Sequence, residues 1–179
     1  GTIPSQPMAE RIRPQEPPQA ASRRVVLRDA RARQPSWSRS YLAPSHRSPD
    51  GQHAYALEVL DEIMGGGATS RMYRGLVVEG KLAVSAGTHY DPDGLGPTRF
   101  VIAGSPRPGV PVERLETAME EEVARLIADG VTETEVARAK QRMRASAVYA
   151  RDSLGGGARM LGAALASGGD IASVEDWPD

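Results

Sequence analysis

Apolar side chains change their spacing along this sequence, and each change marks a new element. From Tyr55 to Met64 they recur at i, i+4 on adjoining faces: Tyr55, Val59 and Ile63 on one, Ala56, Leu60 and Met64 on the next. That period predicts a helix over about 50–64, largely buried. Ser48-Pro49-Asp50-Gly51 supplies its start, with Pro49 or Asp50 in the first turn, and Gly65, Gly66 and Gly67 stop it. Ser70 can cap a second, short helix over 70–78 that carries Arg71, Met72, Tyr73 and Leu76. The pattern then becomes strand-like over Leu82 to Tyr90 and over Thr98 to Ala103. Between these runs, Asp-Pro-Asp-Gly-Leu-Gly-Pro is dense in turn formers and reads as a hairpin loop.

Helical spacing returns with Val112, Leu115, Met119, Val123 and Leu126, with glutamates on the other faces. Pro111 suits the first turn of this long helix, and Gly130 ends it. Thr132 followed by Glu135 forms a capping box that opens another long helix, to about Ser153. Gly155 to Gly157 interrupt it, and an Ala/Leu-rich helix over about 158–167 precedes Gly168.

The first residues read differently. Five prolines between positions 4 and 18 preclude a helix or a central strand, so residues 1–22 are expected to be an extended linker. Arg23 to Arg28 (ArgArgValValLeuArg) is expected to be a strand, with Gln34 to Leu42 as its partner. Pro35 suits the start or the edge of that partner strand. The element order is neither alternating βα nor all-helical. It predicts an α+β domain in which helices cover one face of an antiparallel sheet.

Composition narrows the function classes. At 179 residues, with 40% hydrophobic and 25% charged residues, the chain can build one domain with a proper core. No apolar run approaches the roughly 20 residues that span a bilayer, so no membrane insertion is expected. The first ten residues have no signal-peptide pattern. The chain opens on Gly1 rather than Met, which reads as a piece cut from a longer protein. Cysteine is absent, which excludes disulfides, thiolate metal sites and cysteine nucleophiles. Residues 1–47 hold nine arginines against three acids, a bias that raises the question of nucleic acid. Those arginines alternate with apolar residues, however, and one Phe in the whole chain leaves no stacking platform. No nucleic acid is expected.

Candidate chemistry is sparse. Gly65-Gly66-Gly67-Ala68-Thr69-Ser70 lacks the lysine of a phosphate-binding loop and follows a helix rather than a strand. His46, His53 and His89 include no pair at the i, i+4 spacing that aligns two imidazoles for a metal. Asp91-Pro92-Asp93-Gly94 lacks the third ligand position and the closing glutamate of a calcium loop. The serines have no Gly-x-Ser-x-Gly context, and Glu120 to Glu122 read as a solvated helix face. No catalytic constellation and no metal site emerge from the residues themselves.

A resemblance adds what the residues do not. The helix ending in Leu60-Asp-Glu-Ile-Met-Gly-Gly-Gly67, then Ser70-Arg71-Met72-Tyr73-Arg74, Lys81-Leu82-Ala83, a hairpin and two long helices resembles the second domain of pitrilysin/insulinase-type zinc peptidases. The match covers about residues 20–179. It implies an α+β half of a two-domain subunit, with residues 1–22 as the interdomain connector and 23–179 as the second domain, truncated at its C-terminal end. In that family the first half carries a His-x-x-Glu-His helix and a distal Glu. Two His and the distal Glu hold zinc, and the motif Glu activates the attacking water. None of these lies in this sequence, so zinc belongs to the parent protein and this stretch is expected to bind none.

The family also places an Arg and a Tyr, seven residues apart, against the substrate. Val77 and Val84 occupy those positions here, and neither donates a hydrogen bond. The resemblance therefore implies a zinc-motif-bearing subunit of a bacterial two-subunit type, acting on peptides, whose homologous partner supplies Arg and Tyr. Gly65, Gly66, Gly67, Ser70, Arg71 and Tyr73 are the candidate chamber or structural motif. Bacterial periplasm and cytoplasm both stay open as compartments. The alternative is an inactive member acting as a binding or assembly module.

Overall fold

The structure is a computed structural model that describes residues 19–151, 155–166 and 168–175. It comprises two compact units, Gly1–Ala32 and Arg33–Asp179. The proline run at positions 4–18 lies outside the described residues. In the first unit, residues 21–28 are exposed and belong to no strand. Its described residues include a turn in which Arg31 donates from Nε and Nη2 to the two Asp29 carboxylate oxygens at 3.0 and 2.8 Å. The strand expected over 23–28 is therefore absent, and it is not the partner of 34–42. A strand needs a ladder as well as propensity, and Val25 to Leu27 enter none of the described strand pairings.

The second unit holds the sheet. Strands β1 (Trp37–Ala43), β2 (Ala83–Tyr90) and β3 (Thr98–Pro106) form an antiparallel sheet in the order β1-β3-β2. β1 runs from Trp37 opposite Gly104 to Ala43 opposite Thr98, and β2 closes with Tyr90 opposite Phe100. The β2 register slips between Ala83 and Ser85, at Val84. The hairpin falls where the turn formers predicted it, although β3 continues three residues past the expected end.

Helices cover one face. A 3-10 turn (Gly51–His53) leads into α1 (Ala54–Gly65). A π-helix (Tyr73–Glu79) follows the glycine turn. Then come α2 (Val112–Asp129), α3 (Glu133–Arg151), α4 (Gly156–Ala166) and the short α5 (Ile171–Glu175). On β3 the covered face carries Ile102, Gly104 and Pro106, all buried, while Arg99 and Ala103 on the other face are exposed. Met64 of α1, Met72, Leu76 and Val77 around the π-helix, and Leu115, Ala118 and Met119 of α2 complete the core against Ala83 and Ile102. A smaller cluster joins Ala43, Ala54 and Tyr90. There the Tyr90 hydroxyl donates to the Pro44 carbonyl, and the phenol is pushed up to about 12, first by its burial.

Several differences from the sequence reading have local causes. α1 is less buried than its spacing suggests, because Tyr55 lies exposed with its ring against His46. Pro111 sits at the N-cap of α2 in extended geometry rather than inside the first turn. α4 begins at Gly156, so two of the interrupting glycines are helical, and α5 carried too few periodic positions to be foreseen. The expected 70–78 helix widens into i→i+5 bonding, with the Gly80 N–H reaching the Gly75 carbonyl at 2.8 Å. Lys81 then reverses the chain at φ 50°, the one non-glycine residue with positive φ among those described.

Candidate functional site

The glycine turn and the π-helix form one junction where α1, α3, β2 and the core meet. At its base, Gly65 lies against β2 so closely that a Cβ there would sit 2.3 Å from the backbone nitrogen and the Oγ1 of Thr88. The approach lets Asp61 serve the strand: its Oδ1 accepts from Thr88 Oγ1 at 2.6 Å and its Oδ2 from the Tyr90 N–H at 3.3 Å. The Gly66 N–H closes the helix on the Glu62 carbonyl at 3.0 Å. Gly67, at φ 93°, then turns the chain in the left-handed region that favours glycine, and its carbonyl accepts from the Ser70 N–H.

Ser70 caps the next helix as its position predicts. Its buried Oγ accepts from the Tyr73 N–H at 3.4 Å, three residues on. Arg71 leaves this turn to reach α3. Its Nε and Nη2 each lie 2.7 Å from a different oxygen of Glu135, and Nη2 also donates to the Gly130 carbonyl at 2.9 Å. One fork thus ties the glycine turn to the end of α2 and the start of α3. A second fork comes the other way, from Arg142 of α3. It donates to Glu62 Oε1 at 2.6 Å, to Thr69 Oγ1 at 2.8 Å and to the Glu62 carbonyl at 3.2 Å. Tyr73 packs half-buried against the core.

The Glu135 carboxyl is held at about 2, against an ordinary value of 4.5, chiefly by the hydrogen bonds from Arg71. The Thr132 N–H and hydroxyl add bonds at 2.8 and 2.9 Å. A depressed carboxylate stabilises the fold above its unfolded value, and that contribution fades as pH falls from 4.5 towards about 2. Because the pair is partly solvated, its worth at neutral pH is about 1–2 kcal/mol rather than the full shift. Arg71→Met should cost that much in urea unfolding at neutral pH, and the deficit should shrink across the acid window. A deficit that stays constant there would count against the pairing.

Val77 and Val84 occupy different environments. Val77 is 8% exposed and belongs to the core, while Val84 is 44% exposed. Arg107 fixes the backbone between them, donating to the Val77 carbonyl at 3.0 Å and to the Ala83 carbonyl at 3.2 Å. The residues described do not fit a zinc ion, for no group of three or more His, Asp or Glu among them could hold one. His46 pairs with Glu58 at 3.0 Å instead, and His53 and His89 are exposed. No described helix is long and apolar enough to cross a membrane.

The sequence foresaw the glycines, the Ser70 cap and the Arg71 position. It did not foresee Glu62, Arg107, Glu135 as the Arg71 partner, or Arg142. Each of these acts across 24 to 80 residues, and no local spacing reports such a pairing.

Comparison with known proteins agrees with this fold. The family described as the peptidase M16 inactive domain matches residues 1–143, and the chain belongs to that family. A protease from Helicobacter pylori superposes with a TM-score of 0.69 at 21% identity, over 80% of this chain and 34% of that one. The inactive peptidase domain of a protein assigned as a zinc protease from Bordetella parapertussis gives 0.66 at 18% identity, over 86% of this chain and 80% of that one. At these identities the likeness establishes the fold. The chain spans about a third of the Helicobacter protein's length. No curated protein matches the sequence.

Proposed function

We propose that this chain is the non-catalytic half of a zinc-dependent endopeptidase, forming part of the wall of a peptide-enclosing chamber. Residues 1–22 connect it to a first domain that holds the zinc ligands, and residues 23–179 form the second domain. A homologous partner subunit supplies the substrate-binding Arg and Tyr. The observation that carries this reading is Val77. At the position where the family has its Arg, this chain puts an apolar side chain into the core beside Leu76 and Met119. Such a position cannot reach a substrate carbonyl. The glycine turn, Ser70, Arg71 and Tyr73 act as a structural clasp that holds α1 against the sheet and α3 against α1.

Two measurements test the proposal. The purified chain should contain no stoichiometric zinc by elemental analysis and cleave no peptide. One equivalent of tightly bound zinc would overturn the reading. In the parent enzyme assembled with its partner, Val84→Ala should leave kcat and KM within about twofold. A loss of kcat beyond about tenfold would show that this half touches the reacting substrate.

A further inference from the structure

The face of the sheet turned away from the helices is not uniform. By register, Ser38, Ala103 and Gly87 form one row across the three strands, with no side chain larger than serine. The next row along, Ser40, Val101 and His89, stands taller. On the other side of the small row, Ser105 lies opposite Ser85. These small residues line a groove of about 440 Å³, a size within the roughly 300–1,000 Å³ usual for ligand sites. Trp37 of β1 and Tyr73 of the π-helix, both half-buried, line it too. The first comes from one edge strand and the second from the helix beside the other.

The lining selects its occupant. No charged side chain lines the groove, so a charged group there would lose its water without gaining a partner. Ser36, Ser38, Ser85 and Ser105 bring hydroxyls that both donate and accept, which suits the N–H and C=O groups of a peptide. The two aromatic residues favour a third ring. A floor of serine, alanine and glycine leaves that ring room to lie flat.

We propose, resting on the reading of this chain as the wall of a peptide chamber, that the groove binds a neutral stretch of peptide bearing an aromatic side chain. The peptide then meets the domain on the sheet face opposite the helices, with Ala103 at the centre of the floor.

Titration of the whole chain with the blocked peptide acetyl-Ala-Phe-Ala-amide, followed by backbone amide NMR shifts, tests this. Saturable shifts centred on Ser38, Gly87 and Ala103 are expected, and Glu or Lys in place of Phe should weaken binding at least about tenfold. Ala103→Phe fills the groove from an exposed strand position. It should weaken binding at least about tenfold and leave the melting temperature unchanged. Ser40→Phe, one row along and outside the groove, should leave binding as it is. No saturable shift, shifts centred elsewhere, or equally tight binding by the Ala103→Phe chain overturns the proposal. So does equal binding of the charged peptides. In the parent enzyme assembled with its partner, Ala103→Phe should raise KM for Phe-containing peptides. Cleavage with an unmoved KM overturns the groove and leaves the chamber reading standing. Stoichiometric zinc on this chain overturns the chamber reading and leaves peptide binding in the groove to stand or fall by the shifts.

Discussion

Gly65→Ala is expected to destabilise the fold by about 2–3 kcal/mol, although helix propensity alone favours alanine by about 1 kcal/mol. The sign is decided by one contact. The added methyl would lie 2.3 Å from Thr88 N and Oγ1 and 2.9 Å from Thr88 Cα, and two of those three atoms are backbone. A flexible side chain could swing away from such a methyl, but a strand in register cannot. α1 must then lift from β2, which lengthens the Asp61 bonds to Thr88 and Tyr90 and shifts Glu62 against Arg142. For a domain of this size the melting temperature should fall by about 5–12 °C, measured by circular dichroism. A variant that melts at or above the parent would mean that α1 does not cross β2 at this residue.

The other large effect belongs to the core. Leu115→Ala should cost about 2–5 kcal/mol, because the side chain is fully buried and its removal leaves a cavity under α2. Ile127, twelve residues further along the same helix, supplies the control. It is 79% exposed, and Ile127→Ala should change stability by no more than about 0.5 kcal/mol. Urea unfolding with an unchanged slope would read both numbers. If the two substitutions cost the same, α2 packs through a different face from the one described.

What the sequence disclosed and what it hid follow from the range of each interaction. The stops of α1 and α2 and the start of α3 were legible because Gly67, Gly130 and the Thr132–Glu135 box act within a turn of themselves. The hairpin was legible for the same reason. The antiparallel sheet and its helical cover followed from element order, and the family from a short run of residues around the glycine turn. Residues 23–28 show the opposite case: Val-Val-Leu has strand propensity, but pairing depends on a neighbour that composition does not name. The π-helix escaped because helical spacing does not distinguish i→i+4 from i→i+5 bonding over seven residues. The site was half legible. Arg71 stood out as part of a motif, yet its partner lies 64 residues away, so its role in clasping α3 became visible only in three dimensions.

Glu135 belongs to both scales at once. The carboxylate that closes the box at the start of α3, by accepting from Thr132, is the same one that receives Arg71. Helix initiation and tertiary docking therefore favour a single rotamer of a single side chain. An α3 that forms early during folding already holds this acceptor in place, so the fork from Arg71 closes on a prepared site rather than a mobile one. An α3 that starts out of register offers Arg71 nothing to bind. The clasp thus couples the docking of the glycine turn to an α3 that begins at the right residue, so local and tertiary preferences agree.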